Sequence, residues 1–404
     1  MNLGIDPGLQ QAAGDGAAAP AATVTTPTVC SQDHCRGSAR LALVCVVLAI
    51  LPIVVATVRA VAGDWVAVGD NAYFMIRARD VFTEHHPLLG TWTSASLSLG
   101  IPINNPGPLL FDVLALPVKL AGDGGLAVGV ALINVVSIIG IALVAWRQAG
   151  PRGVVAAMAA ASGLCWAMGS ELLFEPWQPH SLLLPFLCFL VMVWALAGGD
   201  LGVLPWAVGV ASFIVQTHVG YALLVPSLGA WGVGAAGVRL WRARRHDVAA
   251  WAWQRRHAGR QVAAALAVGI LCWSQSLYEQ FFGDDGSGNL RRLASGITAE
   301  QDKIGLSQAP RFVAEIVSLP PWWGRPSSRE AFAASGVLPS PSQSTASLPT
   351  LGWSIAGLAV SLISGLALVP RVRLVEVLAV IAGAVGGGAA LVVSIMQFQR
   401  SRKK

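Results

Sequence analysis

Charge is what this sequence has least of. Lysine, arginine, aspartate and glutamate together make up 12% of its 404 residues, about half the share of a soluble domain. So little charge cannot clothe a water-facing surface, and a mean hydropathy of +0.62 points instead to a bilayer. Cysteine is scarce too. Of six, Cys45, Cys165, Cys188 and Cys272 lie inside apolar runs as small core residues. Cys30 and Cys35 flank His34 in CSQDHC, but three ligands at that spacing do not complete a zinc site. No basic face on a soluble domain is visible, which excludes nucleic acid as a partner despite the net charge of +6. A phosphate-binding loop, a nucleophile elbow and a zinc-protease histidine pair are all missing. No cleavable signal peptide is evident either. Residues 1–39 are polar and rich in Ala, Gly, Pro and Thr, and read as a disordered cytoplasmic tail.

What the chain does have is a series of long apolar runs. Its 44 glycines and 23 prolines fit membrane helices, whose neighbours re-satisfy the backbone groups that such residues free. Residues 40–62 form the first span. Further candidates lie at 126–146, 153–169, 181–197, 203–216, 218–238, 261–281, 351–369 and 374–396. The double-length run 203–238 is interrupted at Gln216-Thr217-His218 and reads as two spans with a tight turn. Residues 107–121 are too short to cross and contain Asp112 and Lys119. The expected fold is therefore an all-α, multi-pass helical bundle of about 9–10 membrane segments. It divides into the tail 1–39, a transmembrane core 40–281 holding an outer loop 63–105, an outer loop region 282–350, and membrane helices with a basic tail at 351–404.

Arginine sets the orientation. Arg36 and Arg40 precede the first span, Arg147 and Arg152 share one short loop, and Arg371 and Arg373 another. Seven arginines between Arg239 and Arg260 crowd a third. Placing all of these in the cytoplasm, as the positive-inside rule asks, requires that 107–121 dip into the membrane or lie at its surface without crossing. The amino terminus is then inside. Segments 63–105, 170–180, 216–218 and 282–350 face outward and carry most of the acids and histidines. The basic RSRKK end follows a span that finishes outside by this count, which conflicts with the rule.

The segment Gly63–Leu110 collects the most polar chemistry. It holds Asp64, Asp70, Asp80, Glu84, His85 and His86 beside the first span, and ionisable groups kept next to a membrane point to function. Within it, Gly-Asp-Asn-Ala-Tyr occupies 69–73, and Asn-Pro-Gly-Pro-Leu-Leu at 105–110 opens the short apolar helix. This layout resembles the GT-C superfamily of integral membrane glycosyltransferases, in particular its protein-mannosyltransferase-like and actinobacterial arabinosyltransferase-like branches. The segment 273–293 also resembles uncharacterised actinobacterial membrane proteins of this type. Asn105 stands where the family's His-Pro-Pro-Leu-like motif has its histidine, and Gly107 separates the two prolines.

The resemblance implies transfer of a sugar from a polyprenyl-phosphate-linked donor to a cell-envelope glycan, lipid or protein at the outer face of the cytoplasmic membrane. Nucleotide sugars would not be direct donors. Asp70 would be the catalytic carboxylate, taking the proton of the attacking hydroxyl. Asn71, Tyr73, Arg77, His86, Asn105, Glu171, Glu175, His180 and His218 are the candidate substrate-binding residues. Some family members use a divalent cation, magnesium or manganese, for which Asp70, Glu171 and Glu175 offer oxygen ligands.

Each of these residues also has a structural explanation. Asp70-Asn71 suits the cap of a helix starting at Ala72, and Arg77, Asp80 and Glu84 suit a solvated helix face. His85-His86 before Pro87 suits a helix end, Trp177 an interfacial anchor, and His218 a hydrogen bond between helices. Two other functions compete with the enzyme. One is a transporter or flippase of a lipid-linked or small polar substrate, which needs polar groups at mid-membrane depth in matched halves. The other is a non-catalytic relative.

Overall fold

The computed structural model describes residues 32–298, except 94–95, 97–99, 245–247 and 284–287. The expected spans 351–369 and 374–396, the RSRKK end and most of the loop 282–350 lie outside the described residues. Helices dominate what is described: α1 (Gln32–Ala62), α2 (Asp70–Asp80), α3 (Leu109–Met168), α4 (Leu183–Ala197), α5 (Leu204–Thr217), α6 (Leu224–Arg244), α7 (Val248–Phe282) and α8 (Asn289–Thr298). Five helices are long and apolar enough to cross a membrane: Gly37–Ala62, Leu109–Met168, Gln178–Ala197, Val219–Arg242 and Arg255–Phe282. The described residues are all-helical, and these five candidate membrane-spanning helices suggest a multi-pass membrane protein.

The count of five accommodates most of the expected spans because α3 is not one rod. Its backbone leaves helical geometry at Ala121 and Gly122 and again at Gly150, where φ is 64° and Pro151 follows. Gly122 (φ 57°) and Gly150 occupy the left-handed region that favours glycine. The three resulting rods, 109–120, 123–149 and 151–168, double back on one another. Gly125 lies directly on the Pro117 carbonyl, and a Cβ on Gly153 would sit 2.8 Å from the Ala145 carbonyl oxygen. Two expected spans, 126–146 and 153–169, are thus both inside α3. The expected span 203–216 corresponds to a shorter apolar helix, Leu201–Thr217. α1 begins at Gln32, so helix extends into the end of the stretch expected as tail. Propagating a helix already formed by 40–62 costs little.

The rods pack through small residues. Ala42, Ala49, Ile53 and Ala56 line the buried face of α1 against α3, while Leu43, Leu48, Val55 and Val58 point outward. In a bilayer, small side chains let backbones approach, and outward apolar ones meet lipid. Asn134, fully buried in 123–149, donates from Nδ2 to the Leu173 carbonyl at 2.9 Å and pins the following outer segment to the core.

Polar contacts gather at the two ends of the bundle. At one end Arg147 and Gln148 hold Asp200 at 2.8 and 3.2 Å, joining two loops. At the other, residues 63–108 meet 170–180, 216–222 and 275–292. The rod 109–120 begins beside Gln216, whose carbonyl accepts from Gly107 N at 3.4 Å. It ends beside the top of α1, where Ala67 N donates to Asp123 Oδ1 at 2.9 Å and Gly124 faces Val61. Both its ends therefore lie in the same polar layer, so it runs across the bundle end and not along the bundle. α2 lies on it, with Phe74 and Phe111 rings 6.1 Å apart.

The reversal between 109–120 and 123–149 depends on glycine. Gly125→Ala, which drives a methyl into the Pro117 carbonyl, is expected to cost about 3 kcal/mol and to lower the melting temperature of the detergent-solubilised chain by about 5–10 °C. A thiol-reactive dye reporting the buried Cys165 and Cys188 would follow the transition.

Candidate outer-face site

The end layer is built on a short backbone ribbon. Gly90 N donates to Asn105 O, Asn105 N to Thr91 O and Thr93 N to Ile103 O, at 3.1, 2.7 and 2.9 Å. Asn105 is 3% exposed and its amide is fully used. Nδ2 donates to Thr91 O and Oγ1 at 3.2 and 2.8 Å, and Oδ1 accepts from Val219 N at 2.9 Å. Gln178 Nε2 also donates to Thr91 Oγ1. The buried Asn289 copies a peptide group, pairing with Asn104 N and O at 2.8 and 2.9 Å and so fixing α8 to the ribbon. Under this layer lies a cavity of about 10 Å³, lined by Thr91, Gly107, Gln178 and Thr217 between Phe74 and Phe111. It has room for about one water; a sugar must lie outside it.

The cluster with chemical potential faces outward. Glu175 Oε1 accepts from Asn71 Nδ2 at 3.2 Å, and Glu175 Oε2 pairs with His180 Nδ1 at 2.9 Å. The His180 ring stands edge-on to Trp177, centroids 4.7 Å apart. The turn Gln178–Ser181 starts one residue after Trp177, with Pro179 setting its first turn. That turn holds His180 over Glu175. Asn71 Oδ1 is buried without a partner among the described residues. The bond from His180 is the largest influence on Glu175 and holds its carboxyl below the usual range against the upward push of burial. The bond from Asn71 and the charge of His180 act in the same downward direction.

Asp70 adjoins this cluster through Asn71. It is exposed and has no hydrogen bond or ion pair among the described residues. The capping explanation fails for it, because α2 starts at Asp70 itself. Gly69 (φ 59°) makes the entry, and no side chain caps the helix. Asp70 instead carries its charge at the positive end of α2. Tyr73 is 39% exposed on α2, and Arg77 is tied to Asp80 at 3.2 Å. Glu171 is exposed in the 3-10 turn before Glu175.

His86 and His218 stand apart from that cluster. α2 ends at Asp80, so His85 and His86 do not terminate it, contrary to the helix-end explanation. His86 accepts from Phe82 N through Nδ1 at 3.0 Å and meets Gln275 Oε1 through Nε2 at 2.8 Å. Gln275 Nε2 in turn donates to Asp112 Oδ2 at 2.8 Å. These bonds assign Nε2–H to His86. His218 accepts from Gly220 N at 3.0 Å, capping a 3-10 turn, and its ring faces Tyr221. The layer of Val219, Asn105, Thr91 and Gln178 lies between it and His180. Among the described residues no three His, Cys, Asp or Glu side chains gather as a metal site, so Asp70, Glu171 and Glu175 do not assemble as cation ligands.

The sequence reading missed Thr91, Gln178, Asn289 and Gln275. Only Asp112 carried a signal, as an acid inside an apolar run.

The lowered carboxyl of Glu175 ties stability to acid pH. The unfolded chain takes up this proton first as pH falls, so the contribution is complete above the ordinary value near 4.5 and is lost as pH drops through the lower folded value. Melting temperature should therefore fall more steeply below about pH 4.5 in the wild type than in Glu175→Gln. Equal slopes in thermal melts across that range would contradict the assignment. Compared with protein-family models, curated proteins and solved structures, the chain matches none.

Proposed function

We propose that this chain is a membrane glycosyltransferase of GT-C type, moving a sugar from a polyprenyl-phosphate-linked donor to a cell-envelope acceptor at the outer face of the cytoplasmic membrane. One observation carries the reading. An unpaired carboxylate, Asp70, stands at the polar end of a helical bundle next to the Asn71–Glu175–His180 cluster. A lipid-linked donor keeps its tail in the bilayer and presents its reactive head at that depth. Inverting transfer needs a base that removes the acceptor's hydroxyl proton while the oxygen attacks the anomeric carbon. In this reading Asp70 supplies it.

The Gly69-to-Tyr73 and Asn105-to-Leu110 motifs support the same reading by resemblance. In it Asn105 is a framework residue, its amide already engaged by Thr91 and Val219. The rod 109–120, lying across the bundle end, serves as an interfacial platform beneath α2. Which sugar is moved is set by groups outside the single-water cavity.

Asp70→Asn should lower transfer from a polyprenyl-phosphate-linked sugar by at least a hundredfold in purified protein. Asp70 is exposed and unpaired, so apart from the small loss of its charge at the start of α2 the melting temperature should fall by no more than about 3 °C. Wild-type transfer by this variant would remove the proposed base.

A further inference from the structure

We infer that His180 is a second proton-transfer group of this site, with Glu175 and Asn71 as its positioning residues; the inference rests on the glycosyl-transfer reading above. Nδ1 of His180 faces a carboxylate oxygen at 2.9 Å, and a carboxylate only accepts. Nδ1 therefore carries hydrogen, and in the neutral ring the lone pair is on Nε2. Nε2 has no protein partner among the described residues, and the side chain is 25% exposed. The edge of Trp177 and the turn begun by Pro179 hold the ring in this pose. An imidazole oriented by a half-buried carboxylate, with its other nitrogen open, is the arrangement of a general base.

Glu175 is its bonded neighbour, and Asp64, Asp70, Asp80, Glu84 and Glu171 are the other carboxylates of 63–108 and 170–180. Of the ionisable groups on the packed elements, Arg77 is paired with Asp80 and Asp112 with Gln275, while Arg79 points toward Gly122. With Nδ1–H engaged by Glu175, the neutral ring has only the lone pair of Nε2 to offer, so it accepts a proton and has no second N–H for a phosphate.

The step balances without a further reactant. The acceptor oxygen forms a bond to the anomeric carbon, and the bond from that carbon to the phosphate oxygen breaks, its electron pair leaving with the polyprenyl phosphate. The hydroxyl proton goes to Asp70. It then passes to the lone pair on Nε2 of His180, the ring nitrogen that the Glu175 bond leaves open. Asp70 returns to its anion, and solvent takes the proton from the imidazolium before the next turnover.

Two measurements on the full chain in nanodiscs test this. Diethyl pyrocarbonate acylates unprotonated imidazole, and peptide mass spectrometry resolves each histidine. His180 should react in the wild type, and its limiting rate at alkaline pH should fall at least threefold in Glu175→Gln, with exposed His85 as the internal reference. An unchanged His180 rate in Glu175→Gln would overturn the dyad. In the second measurement, farnesyl-phosphate-linked hexoses and pentoses with a radiolabel serve as donors. His180→Gln should slow transfer at least tenfold and displace the acid-side limb of kcat/KM, with intact folding checked by an unchanged helical circular-dichroism spectrum. Wild-type rate and pH profile in His180→Gln would overturn the relay and leave the transferase reading standing. If the wild type transfers none of these sugars, that reading fails, and the acylation rates alone decide whether His180 is an activated base.

Discussion

The Asn105 side-chain amide is the contact on which the polar end of the bundle around residues 63–108 depends. It joins the 90–105 ribbon to the turn between α5 and α6, with donors to Thr91 and an acceptor for Val219. Two residues later Gly107 lies against Gln216 and Ser276 so closely that any Cβ would collide with both. The ribbon, the start of α3 and the facing ends of α5 and α7 thus meet at one point. An amide is suited to this place because it donates and accepts at once and keeps no charge. A buried ionised group would carry a desolvation penalty of several kcal/mol, and an apolar one would leave Val219 N unpaired.

From that point the order extends outward. Gln178 shares Thr91 with Asn105, and the turn that begins at Gln178 carries His180. His180 meets Glu175, and Glu175 meets Asn71 at the start of α2. Asp70 is therefore placed by a chain of contacts leading back to the ribbon, although its own side chain touches nothing described. In the proposed reading this suits a base, which must keep its lone pairs for substrate while its backbone is held firmly.

The membrane architecture was legible in the sequence because hydropathy and length act over whole segments. The apolar runs, the shortness of 107–121 and the two-sided distribution of charge each follow from twenty or so residues at a time. Side-chain partnerships are not legible in that way. Asn71 and Glu175 are 104 positions apart and His86 and Gln275 are 189 apart, and no periodicity encodes such pairs. The helix-level guesses about Asp70 and His86 failed for a related reason. α2 starts at Asp70, entered from a glycine with positive φ and two residues earlier than the cap argument supposed, and stops at Asp80, well before the histidines. Asn105, read as a substrate ligand from its place in a motif, has its amide spent on framework.

The shape of the outer end also bears on what kind of substrate it can serve. The cavity beneath the ribbon holds about a water, while Asp70 and Glu171 are exposed and His180 is partly so. A small free sugar would have little area to bury on such a shelf, and association would have to repay its lost translational freedom with few contacts. A substrate already anchored in the bilayer has met much of that cost before it arrives. Confinement to the membrane raises its effective concentration at the bundle end, as linkage does for a second binding site. In the proposed reading, a shelf at the polar end of the bundle is thus a workable site for a lipid-linked donor and a poor one for a soluble sugar. The same physics that keeps charge out of a bilayer would gather acids and histidines where such a donor presents its reactive bond.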